Sequence, residues 1–152
     1  MRIWLDNDGC PQIVRDIVFK AALKRKVAVA VVANRYMHVP PGGMIQMIAV
    51  SGAFDAADNH IAENAVPGDL VITADIPLAS RIVEKGCMGL NPRGEIYTEA
   101  NIRERLAMRN LMQELRSGGE IQGGPAPLGD LDKKRFADSF DRVLTSLISK
   151  GG

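Results

Sequence analysis

The chain has 152 residues, of which 46% are hydrophobic and 24% charged, and its formal net charge is +1. These values predict one ordinary globular domain, and they give no overall positive field that would draw the chain to nucleic acid or an anionic membrane. No apolar run approaches the ~20 residues that a membrane span needs. The first residues enter a strand almost at once, so we expect no signal peptide. Two cysteines without framework spacing indicate a reduced, cytoplasmic protein of bacterial type.

Strands and helices alternate along the first part of the chain. The apolar run at 3–5 predicts a short buried strand, and apolar positions from Ile13 to Leu23 recur at helical spacing. Val27 to Ala33 is a continuous apolar run, which predicts a strand covered on both faces, and Met44 to Val50 is a second such strand. The Pro-Gly cluster at 40–43 marks the loop between them.

The alternation continues to the end of the chain. The predicted helices are 55–65, 77–85, 98–116 and 131–148, and the predicted strands are 70–74 and 88–90. Glycine and proline are frequent at 118–129, so we expect an irregular loop there. This order of elements predicts a single α/β domain over residues 1–152, with three α/β/α layers and a mainly parallel central sheet.

Five aspartates are expected at one edge of this sheet. Ligands of open α/β sheets bind beyond the carboxyl ends of the strands. Asp6 ends the first predicted strand, Asp8 follows two residues later, and Asp75 comes directly after the fourth strand. Asp55 and Asp58 are three residues apart near the start of a helix, so both lie on one face of it. In a parallel sheet these side chains can converge.

Such a cluster is suited to a divalent metal ion. Two carboxylates ~5 Å apart repel each other by about 3 kcal/mol at an effective dielectric constant of 20. Mg²⁺ or Mn²⁺ would offset this repulsion and keep coordination positions open for a substrate phosphate. We therefore predict Asp6, Asp58 and Asp75 as ligands, assisted by Asp8 and Asp55. The alternative for Asp8, Asp55 and Asp75 is that each only caps a helix.

Other polar residues follow the predicted strands and are candidates for substrate contacts. They are Arg35, Thr73, Arg81, Asn91 and Arg93. Guanidinium groups near a metal site suit phosphate, although a solvated surface arginine is the alternative for each. Tyr36 is the best candidate in the chain for stacking on a base. Cys10 lies beside the predicted site, where a packed, inert thiol is favoured over a reactive one.

At these residues the sequence resembles known proteins. Nearly the whole chain resembles the bacterial YaiI/YqxD family, through the strings Asp6-Asn7-Asp8-Gly9-Cys10-Pro11, Phe54-Asp55-Ala56-Ala57-Asp58-Asn59, Gly68-Asp69-Leu70-Val71-Ile72-Thr73-Ala74-Asp75-Ile76-Pro77, Leu90-Asn91-Pro92-Arg93-Gly94-Glu95 and Gly123-Gly124-Pro125. More distantly, Ile72-Thr73-Ala74-Asp75 and the preceding Asp58-x-x-Ile61 resemble acidic motifs of the PIN-like nuclease superfamily, in which the first acid ends strand one, as Asp6 does.

The superfamily resemblance implies a PIN-like fold and a metal-dependent nuclease acting on RNA. One departure matters, because such enzymes often carry another acid two or three residues after the third, where this chain has Pro77 and Leu78. Either Asp8 supplies the missing carboxylate or the site is inactive.

Two other functions remain open. Asp6-x-Asp8-Gly9 resembles the nucleophile motif of haloacid dehalogenase-type phosphatases, although the paired aspartates expected after a later strand are represented only by Asp75. The other alternative is a non-catalytic module that binds nucleic acid or protein and keeps the acidic pocket without turnover.

Overall fold

The computed structural model describes residues 1–52, 55–119 and 128–151, which form six strands and five helices. The strands are β1 (Arg2–Asp6), β2 (Ala28–Ala33), β3 (Ile45–Ala49), β4 (Leu70–Ile72), β5 (Met88–Leu90) and β6 (Ile96–Tyr97). The helices are α1 (Gln12–Arg25), α2 (Ala56–Asn64), α3 (Ile76–Glu84), α4 (Glu99–Ser117) and α5 (Asp130–Gly151).

The strands form one sheet in the order β3-β2-β1-β4-β5-β6. All neighbouring pairs are parallel except β5 and β6, which are antiparallel. From β1 the chain moves outward to β2 and β3, returns to place β4 on the other side of β1, and then moves outward again to β5. The strand order therefore reverses between β1 and β4, and in open α/β sheets this switch point is where ligands bind.

Alternate residues of each strand point to opposite faces of the sheet. Since apolar strand residues point to both faces, helices cover both of them. Ile3 and Leu5 of β1 belong to one core with α1 and α5, whose phenylalanines Phe136 and Phe140 are fully buried. Trp4 lies between them in sequence and belongs to the opposite core, with α2, α3 and the start of α4. The protein thus has the three-layer α/β/α fold with a mainly parallel sheet that the sequence predicts.

The structure differs from the sequence prediction at two strands. The prediction missed β6, which is only two residues long. The strand predicted at 44–50 was expected to be covered on both faces, but in β3 only Ile45 is buried. The reason is that β3 is an edge strand with a single neighbour, β2.

Part of the prediction falls outside the described residues. The irregular loop expected at 118–129 lies mostly at 120–127, and the Gly123-Gly124-Pro125 string lies there too. Across the described ranges, no helix combines the length and the hydropathy required to cross a membrane.

Candidate active site at the carboxyl edge of the sheet

Five aspartates line a cavity of about 220 Å³ at the carboxyl ends of the parallel strands. They are Asp6, Asp8, Asp55, Asp58 and Asp75, and the other described lining residues are Asn34 and Ala57. Asp6 is the last residue of β1, Asp75 caps α3 after β4, and Asp58 lies in the first turn of α2. The cavity is therefore assembled at the switch point between β1 and β4.

A threonine fixes the position of Asp6. The Thr73 hydroxyl donates a hydrogen bond of 2.7 Å to Asp6 Oδ2 and accepts one of 2.9 Å from the Asp75 backbone N–H. Because the hydroxyl is an acceptor from Asp75, its single proton is available for Asp6. The Tyr97 hydroxyl in turn donates to the Thr73 carbonyl oxygen at 3.0 Å. Thr73, predicted from the sequence as a substrate contact, is a buried support for a carboxylate.

The other oxygen of Asp6 has no partner among the described residues. Asp6 is only 4% exposed, and its Oδ1 atom is buried without a hydrogen bond. Burial raises the pKa of Asp6 to about 6, with Asp8 and Asp75 adding to the increase, while the Thr73 hydrogen bond and the Asp8 backbone oppose it. An unsatisfied buried polar atom costs about 1–3 kcal/mol, so its retention calls for an explanation.

Asp58 shares the same electrostatic environment. Burial, together with the negative charges of Asp75 and Asp6, raises the pKa of Asp58 to about 7. Asp75 also accepts a hydrogen bond of 2.8 Å from the Leu78 backbone N–H, so it caps α3 and lines the cavity at once.

The loop that carries Asp8 is held from α1. Arg15 donates hydrogen bonds from Nη1 to Asn7 Oδ1 at 3.1 Å and to the Cys10 carbonyl oxygen at 3.0 Å. Gly9 has a φ of 83° in this turn, a conformation that glycine adopts without strain. Cys10 is buried, and burial raises the pKa of its thiol to about 12, as expected for the inert thiol that the sequence favours.

Helix capping explains only one of the predicted acids. Asp75 makes a side-chain cap hydrogen bond. Asp55 occupies the N-cap position of α2 without such a bond, and its φ of 67° is uncommon for a residue other than glycine. The first helix has Pro11 at its N-cap and no side-chain cap, so Asp8 does not cap it.

None of the five predicted substrate contacts is among the described residues that line the acidic cavity. Arg35 is exposed in the loop after β2. Arg81 donates to Asn59 Oδ1 at 2.8 Å, and Asn91 Oδ1 accepts from the backbone N–H groups of Arg93 and Glu95. Arg93 is paired with Asp132 of α5 at 2.7 Å. Substrate contact by these residues stays a prediction.

Sequence reasoning missed Asn34, which lines the cavity. Its signal was its position, because it directly follows β2 and so lies at the same edge as Asp6.

The five aspartates do not form a ready-made metal site. Within residues 1–52, 55–119 and 128–151, no three histidine, cysteine, aspartate or glutamate side chains are grouped closely enough to hold an ion. The donor chemistry nevertheless fits a hard cation, because the cavity offers carboxylate oxygens and one of them, Asp6 Oδ1, is buried without a partner.

Comparison with known proteins shows the family. A family model described as "Uncharacterized BCR, YaiI/YqxD family" matches residues 4–146. The chain belongs to the YaiI/YqxD family. The match spans all five aspartates of the cavity and Asn34.

Curated relatives of this YaiI/YqxD protein are similar to it over nearly their whole length. A "UPF0178 protein" of Maridesulfovibrio salexigens is 53% identical over 150 residues, which are 99% of each chain. One of Citrifermentans bemidjiense is 54% identical over 148 residues, 97% of this chain and 96% of the relative. One of Shewanella loihica is 51% identical over 145 residues, 95% and 97% of the two chains. These names specify no reaction, and no solved structure matches the chain.

Proposed function

We propose that the protein is a Mg²⁺- or Mn²⁺-dependent nuclease of the PIN-like kind, hydrolysing phosphodiester bonds in RNA. One observation carries the proposal: a cavity lined by five aspartates at the β1–β4 switch point, in which Asp6 Oδ1 is buried without a partner. We infer that it acts in the bacterial cytoplasm, since the relatives are bacterial and both cysteines are free and buried.

In this proposal Asp6, Asp58 and Asp75 hold the ion, and Asp8 and Asp55 contact it through water. The ion would remove the repulsion that raises the pKa values of Asp6 and Asp58. When bound, Mg²⁺ or Mn²⁺ supplies positive charge against a phosphate and lowers the pKa of water. Thr73 keeps Asp6 Oδ2 occupied, so Oδ1 is the oxygen directed to the ion.

A proton must leave when the ion binds. Asp6 and Asp58 have pKa values raised to about 6 and about 7, so they retain protons near neutral pH that carboxylate ligands must release. The cavity carboxyls must also turn toward the ion, because no ready-made three-ligand group exists among the described residues. Metal affinity is therefore expected to rise with pH between about 6 and 8.

A non-catalytic binding module is the second candidate. The absence of a preformed three-ligand group in the described ranges and the capping role of Asp75 favour it. The phosphatase reading, with Asp6 as nucleophile and Asp8 as acid–base, uses two residues of the same cavity. Substrate choice separates these readings from the nuclease.

The first test is thermal unfolding with and without Mn²⁺. Metal at a hundred times its dissociation constant should add about 2.7 kcal/mol to stability and raise Tm by several degrees. Asp6→Asn and Asp75→Asn should lose this shift and remain folded, because asparagine is also a good N-cap in place of Asp75. Glu84→Gln is the matched control, since it removes one exposed negative charge at the far end of α3.

Activity assays complete the test. Cleavage of RNA by the parent and Glu84→Gln, with loss in Asp6→Asn and Asp75→Asn, would support the nuclease. A Tm shift without cleavage would favour the binding module, and hydrolysis of small phosphomonoesters alone would favour the phosphatase. No shift in the parent at millimolar Mn²⁺, together with no cleavage, would overturn the metal site.

A further inference from the structure

The loop after β2 presents polar and aromatic side chains to solvent in a fixed pattern. Tyr36 and His38 are exposed, while Met37 and Val39 alternate with them and pack against the core formed with α1 and α5. The packing of Met37 and Val39 fixes the loop on the core, and Tyr36 is left facing solvent. Pro40 and Pro41 follow and restrict the backbone further.

The fold does not account for the exposure of Tyr36. Its side chain is 74% exposed, more than that of any other large apolar residue among those described. In the described part of the chain Arg35, Tyr36 and His38 have no hydrogen-bond, ion-pair or ring partner. An aromatic ring held in water by an anchored loop is suited to contact a flat ligand, because little side-chain freedom is lost on binding.

This exposed group lies beside the acidic cavity. Asn34 lines the cavity, and Tyr36 is two residues further along the same chain. Two residues span at most about 7 Å between Cα atoms, so the backbone of Tyr36 lies within that distance of a residue that lines the cavity. Arg35, between the two, has a positive charge next to five aspartates that would repel a phosphate before metal binds.

We propose that residues 35–38 form a base-stacking subsite for a single-stranded nucleic acid whose phosphodiester lies at the acidic cavity. The inference rests on the proposed nuclease function and deepens it. Tyr36 stacks on one unpaired base, and Arg35 contacts a neighbouring phosphate. A base inside a duplex is already stacked on both faces, so this subsite selects single strands.

The test is binding of a fluorescent single-stranded RNA with phosphorothioate linkages, measured by anisotropy in Mg²⁺ and again in EDTA. Tyr36→Ala is expected to weaken binding about 5- to 150-fold, the range that one lost base–aromatic stack gives. Tyr36→Phe keeps the ring and should stay within about threefold of the parent. Val66→Ala is the matched control, since Val66 is 54% exposed in the turn before β4, at the opposite edge of the sheet.

A second measurement does not depend on the folding of any one variant. One abasic nucleotide is moved along the strand, and the parent should lose affinity most at a single position. Tyr36→Ala should be insensitive to the abasic nucleotide at that position, because the stack is already missing. A parent-like Tyr36→Ala, equal abasic sensitivity in both proteins, equal binding of duplex RNA, or no binding of any strand would each overturn the subsite.

The failure of this inference is distinguishable from the failure of the nuclease proposal. Tyr36→Ala should keep the Tm shift with Mn²⁺, since Tyr36 contributes no ligand. Tyr36-dependent strand binding by a parent without a Tm shift or cleavage would support the subsite and overturn the nuclease. A Tm shift with cleavage but no dependence on Tyr36 would overturn the subsite alone.

Discussion

Two aspartates at opposite ends of the parallel strands show how hydrogen-bond partners decide the role of a buried carboxylate. Asp6 and Asp69 are each 4% exposed. Asp69 accepts hydrogen bonds of 3.0 Å from the Arg2 backbone, the Trp4 indole and the Val66 backbone, so its carboxylate is well satisfied. Asp6 retains an oxygen without a partner among the described residues. Asp69 thus links the start of β1 to the turn before β4. Asp6 Oδ1, by contrast, is an acceptor that a ligand can still contact.

Asp69→Ala is expected to destabilise the protein by about 2–4 kcal/mol, because it leaves the Trp4 indole and two backbone N–H groups without their acceptor. Trp4 is the single tryptophan, so urea unfolding can be followed by its fluorescence alone. The Mn²⁺-dependent Tm shift should persist in the variant. A loss below about 0.5 kcal/mol would contradict the structural role assigned to Asp69.

Thr73 is a positioning residue, and replacing it by valine removes the hydroxyl while nearly preserving the side-chain volume. Thr73→Val removes the hydrogen bonds to Asp6 and from Asp75 and should weaken Mn²⁺ binding by about 10- to 100-fold, the usual cost of losing a support for a metal ligand. Thr73→Ser should restore it. The readout is Tm against Mn²⁺ concentration at several pH values. Equal affinities for the valine and serine variants would show that the hydroxyl does not orient Asp6.

At the scale of elements, one glycine controls how α5 meets the sheet. Gly94, between β5 and β6, has a φ of 91°, and a Cβ atom there would lie 2.6 Å from the Arg135 carbonyl oxygen of α5. Arg93 beside it pairs with Asp132 on the same helix. The turn and the helix are therefore in backbone contact, which leaves no room for a side chain.

Gly94→Ala is expected to cost about 3 kcal/mol or more, from backbone strain plus a clash that backbone atoms cannot relieve. Gly68→Ala is the matched control. Gly68 has a similar φ of 94° but open space around the added atom, so strain alone should cost about 1 kcal/mol. Thermal or urea unfolding of the two variants measures the difference. Equal costs would mean that α5 can move away from the turn without penalty.

The elements that the sequence predicted are those with a strong local signal. The apolar run that became β2 is buried on both faces, and the helical spacing that became α1 buries one face of that helix. Two features depended on distant neighbours instead. The strand β6 exists because it pairs with β5, and β3 is partly exposed because no strand of the described residues pairs with its outer edge.

The sequence predicted the aspartates of the candidate site but not the residues that hydrogen-bond or ion-pair with the site residues. The sequence predicted three of the aspartates after strand ends and two near the start of a helix, and the structure has all five lining one cavity. It could not show that Thr73 holds Asp6, because these residues are 67 positions apart. Nor could it show that Arg93 pairs with Asp132, a residue 39 positions away on another helix.

For the whole molecule, the raised carboxyl pKa values predict how stability depends on pH without metal. Asp6 and Asp58 have pKa values of about 6 and about 7 in the folded state, against 3.8 for an ordinary aspartate. The folded protein therefore retains protons that the unfolded chain releases. This stabilisation is fully present below about pH 4 and is lost as the pH rises through 6 and 7.

The parent in EDTA is expected to lose about 1–3 kcal/mol between pH 5 and pH 8 relative to an Asp6→Asn, Asp58→Asn double variant. Asp6 and Asp58 both contribute, and solvent screening reduces the contribution of the less buried Asp58. Urea unfolding of both proteins at the two pH values measures the difference, and the comparison removes groups that they share. Saturating Mn²⁺ should restore the parent at pH 8. Parallel pH profiles would contradict the raised pKa values.

The strand order also determines when the acidic cavity comes into existence. Asp6 and Thr73 meet only when β4 pairs with β1. In the sequence, β2, β3 and α2 lie between these two strands. Closing so long a segment is a late step in folding. A nascent or partly folded chain consequently has the first carboxylates without the rest. If the protein has the proposed activity, that activity is therefore confined to chains in which β4 has already paired with β1.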